Sequence, residues 1–221
     1  MFDKLLELPF LMGITSGEVI RMLETVKFDF DTYEDGEIIV SCGDRCNRVV
    51  FVLDGTLIAS CRCLLDKGFV EQTYDAKNTV LEPHHLWGMN QTYLSTYRSV
   101  GTVHTCSIDK QQFVQLIVIS EVIRTNVLST FCRTIQKYHV QSQQPTLDLK
   151  SAFCRFIFSV CQEKTGGLVV YAKMNDISNF LNVPRLNLSK ILNEFEKQEI
   201  LVLKRERIEI SDLQRFFQSV M

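Results

Sequence analysis

The period of the apolar positions changes twice along the chain. Between Phe28 and about Ile108 they come in short runs, Phe28-Asp29-Phe30-Asp31, Glu37-Ile38-Ile39-Val40, Val49–Leu53, Leu57-Ile58-Ala59, Phe69–Tyr74 and Thr79-Val80-Leu81. Turn residues separate them: Asp35-Gly36, Gly43-Asp44, Asp54-Gly55 and Lys67-Gly68. Many short strands at this spacing predict an all-β sandwich or barrel. On either side the spacing is helical. Residues 1–27 open with Leu5, Leu6 and Leu8, and Thr15-Ser16-Gly17-Glu18 predicts a capping box ahead of Val19, Ile20, Met22 and Leu23. Pro9 and Gly13 interrupt this short packing element.

From Lys110 to Gln144 the helical period returns. Phe113, Leu116 and Ile117 lead into a stripe of Ile119, Ile123, Val127, Phe131, Ile135 and Tyr138, widened by Val122, Leu128 and Cys132. A helix apolar on more than one face has more to bury than its own domain covers. The polar stretch Gln141–Thr146, containing Pro145, predicts its end and a hinge. Leu147–Cys161 then predicts another helix, and Leu168–Tyr171 a short strand after a Gly166-Gly167 turn.

The residues from Met174 to Ile200 pack two helical patterns around a tight turn. Ile177, Phe180 and Leu181 face one way in the first, and Leu188, Ile191, Leu192 and Phe195 in the second. Asn182 suits a left-handed turn position and Pro184 the first turn of the second helix. That helix offers Arg185, Asn187, Ser189 and Lys190 on its other faces. Two core helices with a solvated face would look similar. Leu201–Lys204 and Arg207–Ile210, however, alternate across Arg205-Glu206 and predict a hairpin. Helix, turn, helix and basic-tipped hairpin together predict a winged helix-turn-helix that binds double-stranded DNA through the major groove.

Composition sharpens this reading. The 221 residues suit one large or two small domains, and 46% apolar content suffices for real cores. No apolar run approaches the ~20 residues that span a bilayer, and Met1-Phe2-Asp3-Lys4 does not open a signal peptide. The expectation is a soluble cytoplasmic protein with no membrane partner. Residues 1–150 hold 14 Lys and Arg against 18 Asp and Glu, and residues 151–221 hold 10 against 8. The C-terminal part is thus the more positive, as a DNA-reading end should be. The eight cysteines form no Cys-x-x-Cys and no zinc spacing, so reduced thiols and no metal are expected. No nucleophile–base–orienter set and no Walker loop point to catalysis.

Gly36-Glu37-Ile38-Ile39, Gly43-Asp44 and Val49-Val50-Phe51-Val52-Leu53-Asp54-Gly55 resemble the cyclic-nucleotide-binding β-roll of the Crp/Fnr transcription regulators. The C-terminal motif is similar to that family's in kind and order, and the chain resembles a divergent, Bacteroides-type, catabolite-activator-like member. The resemblance implies an α+β fold in three segments. These are an effector-type β-roll domain at 1–109, a dimerisation helix and hinge at 110–144, and a winged helix-turn-helix at 145–221. It implies a homodimer joined through Ile123, Val127, Phe131, Ile135 and Tyr138, acting on a two-fold related operator with RNA polymerase as a further partner. Arg185 matches the family's guanine-reading arginine, and its fork suits G O6/N7. Leu186 stands where a glutamate is common and can touch only a thymine methyl, so the operator should depart from the family's usual one. Asn187 and Ser189 make polar contacts. Lys190, in place of a second arginine, meets phosphate or guanine as a point charge. Lys173, Asn175, Lys204, Arg205 and Arg207 would make backbone contacts that set register. The alternative is an effector-binding sensor or interaction module with weak or lost DNA binding, against which Arg185 and Lys190 speak.

The effector pocket departs from the family pattern. Its candidates are Trp87, Gly88, Met89, Tyr97 and Arg98. The phosphate cassette of the family carries Gly-Glu, and here Met89 follows Gly88 and cannot serve a ribose hydroxyl. Arg98 lies nearer the terminal strand than the family's phosphate-binding arginine, and Ser95-Thr96 stand closer to that position. Cyclic AMP is therefore not the expected effector, although an unknown one is possible. No cysteine precedes Cys42 to hold an iron–sulfur cluster, and His84, His85 and His104 read as solvation or packing rather than haem ligation. No cofactor is expected.

Overall fold

The computed structural model describes residues 5–62, 65, 68–143 and 148–220. The fold is α+β, with helices and antiparallel strands in two compact units. The first holds the described residues up to Thr56, with Ala76–Leu94 and Arg98–Gln143; the second holds Leu57–Asp75, Ser95–Tyr97 and the residues after Gln143.

In the first unit, α1 (Ser16–Thr25) starts at the expected capping box. The Thr15 N–H donates to Glu18 Oε2 at 2.8 Å, and the Glu18 N–H donates to Thr15 Oγ1 at 3.4 Å. Strand β1 (Phe28–Tyr33) pairs antiparallel with β6 (Ser95–Asp109), from Phe28 opposite Ile108 to Tyr33 opposite Val103. Strand β2 (Ile38–Val40) also pairs with β6, and β5 (Thr79–Val80) pairs with β3 (Arg48–Arg62) at Val52 and Phe51. Gly55 sits at φ +118°, where a Cβ would lie 2.8 Å from Val103 Cγ2, so no larger residue fits. Phe10, Phe51 and Phe113 are all buried, and their ring centroids stand 5.5–6.3 Å apart at the centre of the core.

The single long helix expected from Lys110 is two, α2 (Lys110–Ile119) and α3 (Glu121–Gln143), bent by 114°. Ser120 is extended at the break, and its Oγ accepts from the Ile123 N–H at 3.3 Å. A serine that caps the next helix ends the previous one. Apolar periodicity runs through the break without registering it. No single described helix is long and apolar enough to cross a membrane.

The second unit carries a sheet in the order β4 (Phe69–Asp75), β7 (Gly167–Tyr171), β9 (Arg207–Ile210), β8 (Val202–Lys204), all antiparallel neighbours. Over it lie α4 (Leu149–Val160), α5 (Met174–Phe180), α6 (Arg185–Lys197) and α7 (Leu213–Val220). Asp148 caps α4, accepting from the Ser151 N–H at 2.6 Å, and this bond holds its carboxyl below the usual range. Phe153, Phe195 and Phe216 form a ring cluster with centroids 5.8–6.3 Å apart, surrounded by buried Phe156, Ile157, Leu188 and Leu192.

Residues 57–75 read as part of the N-terminal roll, yet they cluster with the C-terminal segment. The reason is β4, whose five residues Phe69–Thr73 pair with Tyr171–Gly167. The compact units therefore do not coincide with the segment boundaries at 109 and 145.

Candidate nucleic-acid interface

Helix α5 ends at Phe180 with Leu181 as its C-cap, and Asn182 takes the left-handed conformation at φ +53°. The turn closes with the Val183 N–H donating to Ser178 O at 3.0 Å. Pro184 is the N-cap of α6 rather than its first helical residue, and its carbonyl accepts from the Asn187 and Leu188 N–H groups. Leu188, Leu192 and Phe195 bury one face of α6, which forces the intervening positions outward. Arg185, Leu186, Asn187 and Lys190 are exposed there, and Ser189 is half-buried beside them. Leu186 is 76% exposed, although it is a leucine with a core directly below it.

The other basic candidates gather at the start of α5 and on the β8–β9 hairpin. A groove of about 860 Å³ is lined by Lys173, Lys204, Arg205 and Arg207, with Tyr171, Ala172, Asp176 and Glu206. Lys173 is the exposed N-cap of α5, and Asn175 is exposed in its first turn. Glu206 makes the hairpin turn at φ +57°, and its carbonyl accepts from the Ala172 N–H at 3.0 Å. Sequence reasoning missed Glu209. Its carboxylate takes Lys204 Nζ at 2.8 Å and Arg207 Nε at 2.8 Å. The Lys204 hydrogen bond first, then the nearby Arg207 charge, hold its carboxyl below the usual range. Alternation along β9 puts Glu209 on the same strand face as Arg207, a signal present in the sequence.

The pocket candidates are not assembled in this way. Trp87 lies in the first unit, 36% exposed, its ring 6.2 Å from Phe113 and 6.1 Å from Phe131, so it works as an apolar packing anchor. Gly88 approaches His84 O so closely that a Cβ would stand 3.0 Å away, and Met89 is fully exposed. Tyr97 is buried in the second unit. Along β6, Ser95, Tyr97 and Ser99 are buried and Arg98 is exposed, as strand alternation requires. A concavity in the first unit, about 270 Å³, involves other residues, among them Asp31, Arg45, Arg48, Tyr93, Thr105 and Ser107. Arg48 there is committed to Asp29 at 2.5 Å and to Ser107 Oγ.

The subunit-seam candidates also divide. Ile123 and Val127 are buried by the chain's own first unit, and Phe131 packs on Trp87. Ile135 is 66% exposed, as is Leu128 at 59%; both point away from that core. The Tyr138 side chain lies outside the described residues. His104 Nδ1 lies 3.1 Å from Thr32 Oγ1, and His85 Nδ1 lies 3.0 Å from Asn90 O. Burial pushes the Cys46 thiol up to about 11, Cys106 to about 12 and Cys154 to about 11, while Cys42 and Cys132 are exposed.

No protein-family profile matches the chain, and no curated protein does either. Solved structures do. The sensor domain of the transcriptional regulator DNR from Pseudomonas aeruginosa aligns at TM-score 0.50 and 10% identity, over 67% of this chain and 100% of that one. The Thermus thermophilus catabolite activator protein aligns at TM-score 0.49 and 14% identity, over 96% of this chain and 100% of that one. A putative cyclic nucleotide binding protein from Ruegeria pomeroyi aligns at TM-score 0.46 and 17% identity, over 99% and 96%. At such identities a likeness concerns fold alone, and the sensor-domain match carries it: over the 67% of the chain that it covers, the fold is that of this sensor domain.

Proposed function

We propose that the chain is a non-catalytic, homodimeric transcription regulator of the cytoplasm that reads DNA through a winged helix-turn-helix. The observation that carries this reading is the first turn of α6, where Arg185, Leu186 and Asn187 stand exposed above buried Leu188 and Leu192. Laid into a major groove, Arg185 reads a guanine, Leu186 a neighbouring thymine methyl, and Asn187 and Ser189 polar edges or phosphate. Lys190, Lys173, Asn175, Lys204, Arg205 and Arg207 engage the backbone, which requires Glu209 to yield Lys204 and Arg207 to phosphate.

Segments 1–109, 110–144 and 145–221 serve as sensor, dimer helix and reader, with RNA polymerase as the further partner. Self-association uses the outer face of α3 at Leu128 and Ile135, seven residues and two turns apart. The sensor segment does not take cyclic AMP, because Met89 offers no ribose acceptor and Arg98 is exposed. The second reading, an interaction module with lost DNA binding, draws on the wing cations being neutralised by Glu209.

Selection from a random duplex pool separates the two. Enrichment of a two-fold related site, with affinity falling steeply as salt rises, is expected of the regulator. Recovery of no consensus at any salt supports the module.

A further inference from the structure

Gln72 on β4 is 1% exposed, and its amide is fully satisfied by one distant loop. Its Nε2 donates to Glu163 O at 2.8 Å and to Thr165 O at 2.9 Å. Its Oε1 accepts from the Gln162 N–H at 2.6 Å and the Glu163 N–H at 3.2 Å. Beside it, Gln162 Nε2 donates to Ser95 Oγ at 3.1 Å. Gly166 at φ +78° lies so close to β4 that a Cβ would stand 2.0 Å from Thr73 O. The Gly166 carbonyl in turn accepts from the Leu213 N–H at the start of α7.

Loops are ordinarily the mobile parts of a fold. This one is fixed by a side chain some ninety positions earlier in sequence, and β7 follows directly from it. Strand β7 begins at Gly167, pairs with β4 on one side and carries β9 on the other, from Leu168 opposite Ile210 to Tyr171 opposite Arg207. The hairpin with Lys204, Arg205 and Arg207 therefore hangs from β7 on one side, and on the other it is tied to the C-terminal half of α6, where the Leu203 N–H donates to Glu196 Oε1 at 2.8 Å. A buried amide with four partners holds all of them or none, because a half-satisfied polar network is costly. Withdrawing β4 returns those loop groups to water together.

We infer that β4, through Gln72, is a latch that sets the position of the basic hairpin against the first turn of α6, and so regulates specific DNA binding. The inference rests on the DNA-reading proposal above. The latched form is the one that binds the specific site, since it leaves Arg185, Leu186, Asn187 and Lys190 exposed with the hairpin fixed. Residues 57–75 and Ser95–Tyr97 belong by sequence to the sensor segment, so an event there reaches the reader through this loop. Gln72 is a positioning residue; it touches no DNA.

Three variants test it on the full chain, with fluorescence anisotropy on the selected duplex and on a random one, and hydrogen exchange by mass spectrometry. Gln72→Ala is expected to lose about tenfold in specific affinity, a typical coupling between linked sites, with random-duplex binding unchanged. Exchange should rise across residues 162–171 and stay as in the wild type across α6. An oxidised disulfide between Glu71→Cys and Val169→Cys, which face each other across β4 and β7, should restore the Gln72→Ala protein, and reduction should undo it. Should Gln72→Ala not fold, Gln162→Ala removes only the Ser95 bond and should give the same change at about twofold or more. Wild-type affinity in Gln72→Ala, or no rescue by the disulfide, overturns the latch. A wild-type chain that never distinguishes the duplexes sinks the DNA reading instead, and the exchange data then decide alone whether β4 holds the loop.

Discussion

The first turn of α6 and the segment from Trp87 to Arg98 both carry polar and apolar side chains suited to a ligand, and they display them in different ways. On α6 the exposed positions proposed to read DNA are neighbours because a helix makes them so, and Leu188, Leu192 and Phe195 fix which face looks out. Between Trp87 and Arg98 the side chains share no such common scaffold. Trp87 turns to Phe113 and Phe131, Met89 points to solvent, and Arg98 follows the outward alternation of β6. A recognition surface built on one helix needs only local geometry. A pocket built from strands and loops needs register as well.

The comparison breaks first if the α6 scaffold is not what it depends on. Phe195→Ala, at a position 2% exposed in the ring cluster, should destabilise the second unit by about 3–5 kcal/mol, read by urea unfolding. A loss below about 1 kcal/mol would mean that the inner face does not anchor the helix.

Helix α3 gives the same contrast between two faces of one element. Val127→Glu buries an unpaired charge in the chain's own core and should unfold the first unit, at a cost of several kcal/mol. Leu128→Glu with Ile135→Glu should leave circular dichroism unchanged and yield monomers in sedimentation. A double variant that still sediments as the wild type moves the interface elsewhere.

The other half of the comparison is sharpened by cyclic nucleotides. Cyclic AMP and cyclic GMP should bind more weakly than about 1 mM, worth only ~4 kcal/mol. Trp87 is the only tryptophan and reports on this segment by fluorescence. A saturable quench at micromolar nucleotide would restore Arg98 as a phosphate ligand.

The smallest effect concerns thiols. At pH 8, maleimide should modify Cys42 and Cys132 and spare Cys46, Cys106 and Cys154 until the chain unfolds, as mass spectrometry of tryptic peptides can show. These three thiols, Cys46 and Cys106 buried and Cys154 half-buried, have folded-state values of about 11 to 12, above their ordinary 9.0. The folded state therefore holds the protons more tightly. That stabilisation is complete below about pH 9 and is lost as pH rises from there through 11 to 12. Equal labelling of all five at pH 8 would contradict the burial.

What could be read in the sequence follows the same division. The Thr15–Glu18 capping box, the left-handed Asn182 and the hairpin about Arg205-Glu206 are local, and each stands where its residues put it. Pro184 differed by one position, within the tolerance of a helix end. Ser120 was readable as a cap only by a reader willing to stop an apolar stripe that continues past it. The inward turn of Ile123 and Val127 depends on what the rest of the first unit offers as cover. The pairing of β4 with β7 joins residues about a hundred positions apart and leaves no mark in either strand's own pattern. Gln72 looks like an ordinary polar strand residue until its four partners are seen.

The central claim is that α6 reads bases while the hairpin holds backbone. Arg185→Ala and Lys204→Ala, titrated against the selected and the random duplex at several salt concentrations, test it most directly. Arg185→Ala is expected to cost about 1–3 kcal/mol on the selected duplex, to relax the preference at one base per half-site, and to change random-duplex binding far less. Lys204→Ala should weaken both duplexes alike and reduce the salt slope by about one. Equal losses on both duplexes for Arg185→Ala would contradict base reading by α6.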